Sequence, residues 1–343
     1  MPSAAPAVQD ARALAERAAD EEGHGRWDGA ARLYALAFRA AVLDRALPEA
    51  ANALRGQARM RHQQGRYDEA EELAGLSLEM AERSGLRQEA ARALNVLGTL
   101  GLIRCDWDTA RAMFDRTLEL ALDIGDDDLA GLACLNAGVV ATNVGDPREA
   151  RALFLESIGA FVRSGNSSNA MRAYNNLGMA SAELGEWMAA ELYFTRGIEI
   201  AERLSSPPML ARLYCNRAEP LVRVGETERA RASLGRAEEI AASLGDRTTL
   251  ADVGRLRALV ARVEGDFAAA DELLEAAHSL VGDDPALIWQ RADYFMEAGH
   301  LREAQGRRPE ARDFYVHAEK AFLSIRADSH AREAQRHAAA LPA

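Results

Sequence analysis

The sequence has little lysine, few aromatic residues and little cysteine. Lys320 is the only lysine, and this strong arginine bias is typical of a GC-rich bacterial genome. Aromatic residues make up 6% of the chain, which disfavours a β-sandwich because such cores depend on aromatic and β-branched side chains. The three cysteines are far apart and in no metal-ligand spacing, which argues against a disulfide scaffold. No run of about 18 apolar residues occurs, so the sequence predicts no contact with a membrane.

The chain is acidic but has enough apolar residues to form a large core. Its 343 residues carry a formal net charge of −12, with 48% hydrophobic and 27% charged residues. A negative chain disfavours binding to nucleic acid, which needs a basic face. The sequence contains no glycine-rich phosphate loop, nucleophile elbow or outstanding carboxylate pair, so it predicts no cofactor, no metal and no catalytic site. No apolar leader follows Met1, and we expect a cytoplasmic protein.

Eight repeats with a period of 40 residues run through the sequence. Each repeat has a turn residue, usually glycine, with an alanine five residues after it and a small residue seven residues before it. Four residues beyond most of these alanines is a bulky residue, and three further on the chain is small again. The turn residues are Gly25, Gly65, Cys105, Gly145, Gly185, Gly225, Gly265 and Gly306.

The spacing within each repeat predicts two antiparallel helices. Steps of four and then three residues place the alanine, the bulky residue and the small residue on one helical face. Small residues let the paired helices pack closely, and the turn glycine suits a left-handed helix end. The sequence therefore predicts an all-α array of helical hairpins. A second glycine series, expected to end the second helices, comprises Gly85, Gly125, Gly165 and Gly245.

This recurring pattern resembles the tetratricopeptide repeat (TPR) family. The first repeat reads GRWDGAARLYALAFRAA and the fifth GEWMAAELYFTRGIEIA, and the resemblance covers residues 10–325. The period of 40, rather than the commoner 34, is similar to kinesin light chain, bacterial peptide-pheromone receptors and the sensor arrays of large activators. The resemblance implies a right-handed superhelical solenoid of about eight units, whose first helices line a concave groove for peptides or proteins. Residues 326–343 are expected to form a capping helix and tail, and residues 1–9 a disordered N-terminus.

Asparagines recur in the first helices at two adjacent repeat positions. Asn136, Asn176 and Asn216 lie 40 residues apart, and Asn95 and Asn175 occupy the preceding position in their repeats. Asparagine is unfavourable inside helices, so its recurrence needs a reason. A carboxamide donates and accepts at once, which suits binding to a peptide backbone, and the resemblance to pheromone receptors and kinesin light chain implies this role. The alternative is that each amide bonds only to neighbouring helices.

Arginines accompany the asparagines on the same helices. In so acidic a chain, a groove with arginines would attract carboxylates, so we predict a protein or peptide partner with a preference for acidic ones. Apolar groove contacts are expected from Leu132, Leu135, Val139 and Met179. The alternative is a solvated face on which the arginines pair with acids such as Glu183 and Glu219. The arginines concerned are Arg12, Arg92, Arg172 and Arg212, which share one repeat position, and Arg55, Arg59 and Arg223 on the same face.

Several weaker features have two interpretations each. Pro220 lies inside a predicted first helix, where it could open a pocket beside Asn216 or be a tolerated irregularity. Cys105 replaces a turn glycine, so we expect either a turn that is not left-handed or strain of about 1 kcal/mol. His330 and His337 lie seven residues apart, which is not ligand spacing by itself. The aromatic residues that begin alternate second helices are interpreted as core: Trp27, Trp107, Trp187 and Phe267.

The sequence favours a non-catalytic scaffold that binds a peptide or protein in its groove. One alternative is a ligand- or peptide-responsive regulator that acts through a partner. Another is an enzyme similar to the receptor-type aspartate phosphatases, which we disfavour because the repeats begin near residue 10 and leave no room for a catalytic bundle. For the same reason we expect no DNA-binding helix-turn-helix ahead of the repeats. No motif identifies the partner or the oligomeric state.

Overall fold

The computed structural model describes residues 10–341, and this part of the chain is all-α. The protein is 86% helical, with 17 α-helices and no strand among the described residues. No helix in the described range is both long and apolar enough to cross a bilayer. The disordered N-terminus predicted for residues 1–9 lies outside that range. The helices are α1 (Ala11–Gly23), α2 (Trp27–Leu43), α3 (Leu47–Gln63), α4 (Tyr67–Arg83), α5 (Arg87–Ile103), α6 (Trp107–Ile124), α7 (Asp127–Val144), α8 (Pro147–Ser164), α9 (Ser167–Glu183), α10 (Trp187–Arg203), α11 (Pro207–Arg223), α12 (Thr227–Leu244), α13 (Arg247–Glu264), α14 (Phe267–Val281), α15 (Ile288–Ala304, after a 3₁₀ turn at Pro285–Leu287), α16 (Arg308–Ser324) and α17 (Asp328–Ala340).

Consecutive helices pack as hairpins, and small residues allow their close approach. A Cβ atom added to Gly98 of α5 would lie 2.6 Å from the ring of Phe114 on α6. The equivalent atom on Gly178 of α9 would lie 2.7 Å from the ring of Phe194 on α10. Both rings are buried. The predicted pairing of a small residue with a bulky one is therefore confirmed in these two hairpins.

The turns between helices adopt the left-handed backbone conformation that their glycines predict. Gly145 and Gly185 have φ angles of 85° and 73°. Cys105 has a φ of 55°, so the expectation of a turn that is not left-handed is wrong, and the strained alternative applies. Arg45 and Ser205 have φ angles of 55° and 50°, and they occupy places where the second glycine series has no glycine. The left-handed turn thus persists where the glycine is missing, because the packing of the helices on either side fixes it.

The chain divides into two compact units, Met1–Val140 and Ala141–Ala343, with the boundary inside α7. In the first unit α1 packs with α2, α3 with α4 and α5 with α6. In the second unit α9 packs with α10, α11 with α12, α13 with α14 and α15 with α16. Each unit has its own buried core, such as Ala74 with Leu100 in the first and Leu221 with Leu234 in the second.

The last helix, α17, is amphipathic and covers the apolar surface of the final hairpin. Ala331 and Ala334 are buried against Phe322 of α16 and Ala292 of α15. Terminal cover of this kind is needed because a repeat array otherwise exposes the apolar face of its last unit. The opposite, polar face of α17 lies in the cavity of the second unit.

Candidate functional site

A cavity of about 1200 Å³ lies in the second unit, along the first helices of its hairpins. The helices α9, α11, α13 and α15 contribute to its wall, because equivalent positions on successive first helices face the same side. Of the nine residues predicted to bind a peptide, five line this cavity. These five are Asn175, Asn176, Met179, Arg212 and Asn216.

The C-terminal helix α17 forms another wall of the cavity. A Cβ atom added to Gly145 would lie 3.1 Å from Ser329 Oγ, so the first turn of α17 reaches the turn before α8. Arg332, Glu333 and Arg336 of α17 also line the cavity. The sequence predicted only a cap for this helix. Its role as a wall of the cavity depends on which helices it contacts in the folded protein, and the repeat pattern does not predict those contacts.

An amide pair links two neighbouring first helices inside the cavity. Asn216 Nδ2 donates to Asn175 Oδ1 at 2.9 Å, and Asn175 Nδ2 donates to Asn176 Oδ1 at 3.2 Å. Asn175 is only 5% exposed, and this pairing uses both of its polar atoms. Asn176 and Asn216 are half-buried, and no other group of residues 10–341 hydrogen-bonds their side chains. The Asn176 amide N–H groups and the Asn216 carbonyl oxygen are therefore available to a ligand.

The first unit contains an amide pair of the same kind. Asn136 Nδ2 donates to Asn95 Oδ1 at 3.0 Å and so links α7 to α5. The two residues are 41 apart, as are Asn175 and Asn216, so both pairs use the same two repeat positions. A single row of asparagines across all three repeats stays a prediction, since Asn136 belongs to the first unit.

The three arginines predicted to bind a partner have different surroundings. Arg212 lines the cavity, and among the described residues no carboxylate lies within ion-pair distance of it. Arg172 is exposed, donates to Asn169 Oδ1 at 3.3 Å and does not line the cavity. Arg92, in the first unit, is exposed and lies 3.9 Å from the carboxylate of Glu89. Arg212 is thus the arginine of the three that the structure brings to the cavity.

Three other residues expected on the groove face are buried or already paired with an acid. Arg55 is buried with its guanidinium 2.5 Å from the carboxylate of Glu89. Arg59 donates to Glu22 at 2.8 Å and 2.9 Å. Leu135 is 1% exposed and belongs to the core. Arg55 and Leu135 share the repeat position of Asn175 on α9. All three of these side chains are buried, so the expectation that Arg55 and Leu135 are exposed to a ligand was wrong.

The sequence reasoning missed a charged cluster formed by Asp252, Arg255 and Asp293 on α13 and α15. Burial raises the pKa of Asp252 to about 6 and also raises the pKa of Asp293, while the charge of Arg255 opposes both shifts. Arg255 Nε is buried and has no hydrogen-bond partner among the described residues. The repeat pattern could have found this cluster. Asp252 lies one period after Arg212, and Arg255 lies two periods after Asn175.

Two acidic side chains approach each other across the cavity, one from α9 and one from α17. Partial loss of hydration and the charge of Glu333 raise the pKa of Glu183 to about 7. The interpretation that Glu183 pairs with a groove arginine is therefore wrong. Glu219 does pair as that interpretation expected, since Arg223 lies 3.0 Å from its carboxylate.

Three further residues of the cavity wall had ambiguous interpretations. Trp187 is half-buried rather than core, because it begins α10 beside the turn, and the Arg223 guanidinium lies 5.2 Å from its ring centroid. Pro220 lines the cavity from inside α11, which continues from Pro207 to Arg223. Cys215 also lines it, and burial raises the pKa of its thiol, which keeps that thiol protonated and unreactive.

Two family models, both described as tetratricopeptide repeat, match the chain. They match residues 49–123 and residues 171–208. The first match falls on the two hairpins from α3 to α6, and the second on α9 and α10. No curated protein matches the sequence.

Solved structures share the fold at low sequence identity. BtubC (BKLC) from P. vanneervenii is 20% identical, with a TM-score of 0.56 over 71% of this chain and 94% of its own. The apo quorum sensor NprR from B. thuringiensis is 13% identical, with a TM-score of 0.58 over 96% and 97%. The Rap conjugation gene regulator of plasmid pLS20, solved with the Phr* peptide, is 14% identical, with a TM-score of 0.59 over 81% and 75%. The chain therefore contains tetratricopeptide repeats at residues 49–123 and 171–208, within a fold that these solved structures share.

Proposed function

We propose that this protein binds a short, acidic peptide in extended form in the cavity of its second unit, without catalysing a reaction. One observation carries the proposal. Asn176 and Asn216 present an unpaired donor and an unpaired acceptor to the same cavity as the unpaired Arg212. A peptide backbone needs both a donor and an acceptor, and a carboxylate suits the forked guanidinium of arginine.

The size of the cavity supports a peptide over a small metabolite. Its volume of about 1200 Å³ exceeds the roughly 300–1,000 Å³ of ordinary small-molecule pockets. Neighbouring packed helices lie roughly 8–10 Å apart, and an extended chain advances about 3.3 Å per residue. Each first helix would therefore contact about every third peptide residue. The peptide side chains between these contacts would be free to interact with the charged residues of the cavity wall.

Arginines and acids are equally numerous in the cavity wall, and the arginines without an acidic partner support an acidic ligand. Arg212 on α11 and Arg332 and Arg336 on α17 all line it, and none has a carboxylate within ion-pair distance among the described residues. These arginines are also exposed. A ligand would therefore not have to break an existing ion pair in order to bind them. An anionic side chain or a C-terminal carboxylate would pair with them.

Proteins of similar fold give the proposal a precedent. The Rap regulator of plasmid pLS20 was solved with the Phr* peptide, and another Rap protein was solved with competence and sporulation factor. Peptide binding by this chain is inferred by analogy from these proteins, whereas the cavity residues carry the argument for where it occurs.

A ligand-responsive regulator acting through a partner protein is the second candidate, and the position of α17 favours it. A ligand in the cavity would touch the first helices and α17 at once. Because a ligand stabilises the arrangement it binds best, occupancy would change the stability of α17. Hydrogen exchange of the α17 amides with and without a bound peptide would distinguish a regulator from a passive scaffold.

Selection from a random peptide display library on the purified protein tests the proposal. We expect enrichment of peptides rich in Asp and Glu, and the affinity of one synthetic winner is then measured by fluorescence anisotropy. Arg212→Gln should weaken binding about 10- to 100-fold, the range for a lost charged hydrogen bond. Arg236→Gln is the matched control, since Arg236 is exposed on α12 and lies outside the cavity wall. Equal binding by both variants would place the peptide elsewhere.

A further inference from the structure

Three side chains able to ligate a metal meet where α15 and α17 cross, and they do not line the cavity. His300 and Glu303 lie one helical turn apart on α15, and His337 lies on α17. One ring nitrogen of each histidine and one oxygen of Glu303 lie within 4.8 Å of one another. The two imidazole rings meet edge to face, with centroids 4.9 Å apart. Histidine spacing along α17 alone could not indicate this cluster, because the partners of His337 are on another helix.

A tyrosine from α16 determines which atoms of this cluster carry protons. The Tyr315 hydroxyl oxygen lies 3.0 Å from Glu303 Oε2 and 2.8 Å from His300 Nδ1. An ionised carboxylate has no proton, so the hydroxyl donates its single proton to Glu303 and accepts the Nδ1–H of His300. The lone pair of His300 is therefore on Nε2. An outer partner that fixes the tautomer of one ligand and holds another is typical of zinc sites.

We propose that His300, Glu303 and His337 bind a zinc ion, with Tyr315 as the positioning residue. Two histidines and one carboxylate form a ligand set that zinc takes when its fourth position is left to water. With bonds of about 2.0–2.1 Å, a tetrahedral site needs ligand atoms about 3.3 Å apart. The ligand atoms now lie within 4.8 Å of one another, so metal binding requires the side chains of the exposed Glu303 and the half-buried His337 to move closer to His300.

The charges around the cluster are compatible with a cation. The positive charges of Arg262 and Arg223 both interact electrostatically with His300, but each of these arginines is paired with a carboxylate. Arg262 lies 2.6 Å from Glu297, and Arg223 lies 3.0 Å from Glu219. With these two charges offset, the carboxylate of Glu303 gives the cluster a net negative charge.

The proposed metal would be coordinated by residues of both α15 and α17 and would link the two helices. Since α17 is also a wall of the cavity, zinc would hold that wall in place, whatever the cavity binds. Metal binding should therefore raise the thermal stability of the protein and slow hydrogen exchange in α17.

Titration of the untagged, chelator-treated protein with zinc tests the proposal, and cobalt(II) serves as a spectroscopic probe. We expect one equivalent to bind, a rise in melting temperature, and cobalt absorption bands of a four-coordinate site with nitrogen and oxygen ligands. Glu303→Gln, at an exposed position, should weaken zinc binding at least tenfold. Tyr315→Phe should weaken it about 10- to 100-fold, the range for loss of an outer-shell partner.

His317→Ala is the control, because His317 is exposed on α16 and belongs to no ligand cluster. It should bind zinc as the parent protein does. His337→Ala should lose binding, and circular dichroism verifies that each variant is folded. The proposal is overturned if the parent protein binds no stoichiometric zinc, or if folded Glu303→Gln and His337→Ala bind it as tightly as the parent does.

Discussion

At the residue scale, the left-handed turn at Cys105 is a local source of instability. The position has a φ of 55°, where glycine is favoured. A residue other than glycine loses about 1–2 kcal/mol there, of which the greater freedom of glycine in the unfolded chain offsets about 0.4–1 kcal/mol. We therefore expect Cys105→Gly to raise the free energy of unfolding by about 0.5–1 kcal/mol in urea denaturation.

The reverse substitution at an equivalent turn provides the control. Gly65 has a φ of 73° and no atom within 4 Å of an added Cβ, so Gly65→Ala introduces backbone strain without a steric clash. It should lower the free energy of unfolding by about 1 kcal/mol. If Cys105→Gly destabilises the protein while Gly65→Ala does so too, the side chain of Cys105 outweighs its backbone strain and the account of this turn fails.

The acid at position 183 should make stability depend on pH. Its pKa is raised from 4.5 to about 7, so folding favours its protonated form. The resulting stabilisation is complete below pH 4.5 and is lost as the pH rises through 7. Glu183→Gln should therefore be closest to the parent protein in stability at about pH 4 and exceed it at about pH 8. The side chain is partly exposed, and solvent screening limits the difference to about 1 kcal/mol or less.

Urea unfolding of both proteins at about pH 4 and about pH 8 measures this difference. Glu333→Gln should show the same trend, because Glu333 contributes to the raised pKa of Glu183. A Glu183→Gln variant whose stability relative to the parent is the same at both pH values would contradict the raised pKa of Glu183.

The residue pattern could predict which side chains reach the cavity but not how they divide their hydrogen bonds. Asn175 and Asn176 are adjacent and differ by about 100° around α9, and one is buried while the other is half-buried. Their division of roles depends on the neighbouring helix, which supplies Asn216 as the partner of Asn175. Repeat positions fix the direction of a side chain, whereas its partners depend on tertiary packing.

At the element scale, each hairpin depends on a small residue that faces a bulky one. A Cβ on Gly178 would lie 2.7 Å from the Phe194 ring, too close without a shift of that ring. Gly178→Ala should therefore cost about 1–3 kcal/mol of unfolding free energy, the range for overpacked cores. Thermal and urea denaturation measure this loss.

A double mutant isolates the contact between these two helices. Phe194→Leu removes the ring that the new methyl would meet, although it also leaves a cavity of its own. The combination with Gly178→Ala should be less damaging than the sum of the two single changes. Strictly additive losses would mean that the methyl group and the ring do not compete for the same space.

The elements themselves were largely predictable because two independent patterns agree. Glycine turns set the helix ends, and the spacing of small and bulky residues sets the faces, and both recur every 40 residues. The repeat pattern does not predict the contacts of α17, because this helix belongs to no repeat. Its apolar face, with Ala331 and Ala334, predicts a cap, but the contact of Ser329 with the turn at Gly145 depends on the path of the chain between them.

At the scale of the whole molecule, the chain is acidic, whereas three arginines of the cavity wall have no acidic partner among the described residues. The chain carries −12, while Arg212, Arg332 and Arg336 line the cavity without ion-pair partners among the described residues. An acidic peptide should therefore bind more weakly as salt rises, because exposed charges are screened beyond about 8 Å at physiological ionic strength. Affinities measured at NaCl concentrations from about 50 to about 500 mM give the slope.

The arginines should account for that slope. In Arg332→Gln combined with Arg336→Gln, the salt dependence should decrease, whereas Arg236→Gln should leave it unchanged. An affinity that does not vary with salt would rule out charge attraction as the basis of binding.

The repeat pattern alone could not predict where the molecule divides into units. The 40-residue period continues without a change of phase through α7, where the boundary between the two units lies. Division depends on the density of contacts between successive hairpins, which a periodic sequence does not report.

The central claim is that amides of the second unit bind a peptide backbone, and two adjacent asparagines test it most directly. Asn176→Ala removes amide N–H groups that are available to a ligand, so peptide affinity should fall about 5- to 100-fold, equivalent to about 1–3 kcal/mol. Its melting temperature should fall less than that of Asn175→Ala, because only one of the two hydrogen bonds of Asn175 is lost. Asn175→Ala breaks the buried pair with Asn216 and should lower the melting temperature. Affinity and melting temperature are measured together on both variants. A large loss of melting temperature in Asn176→Ala with unchanged affinity would contradict the account and leave these asparagines as packing residues.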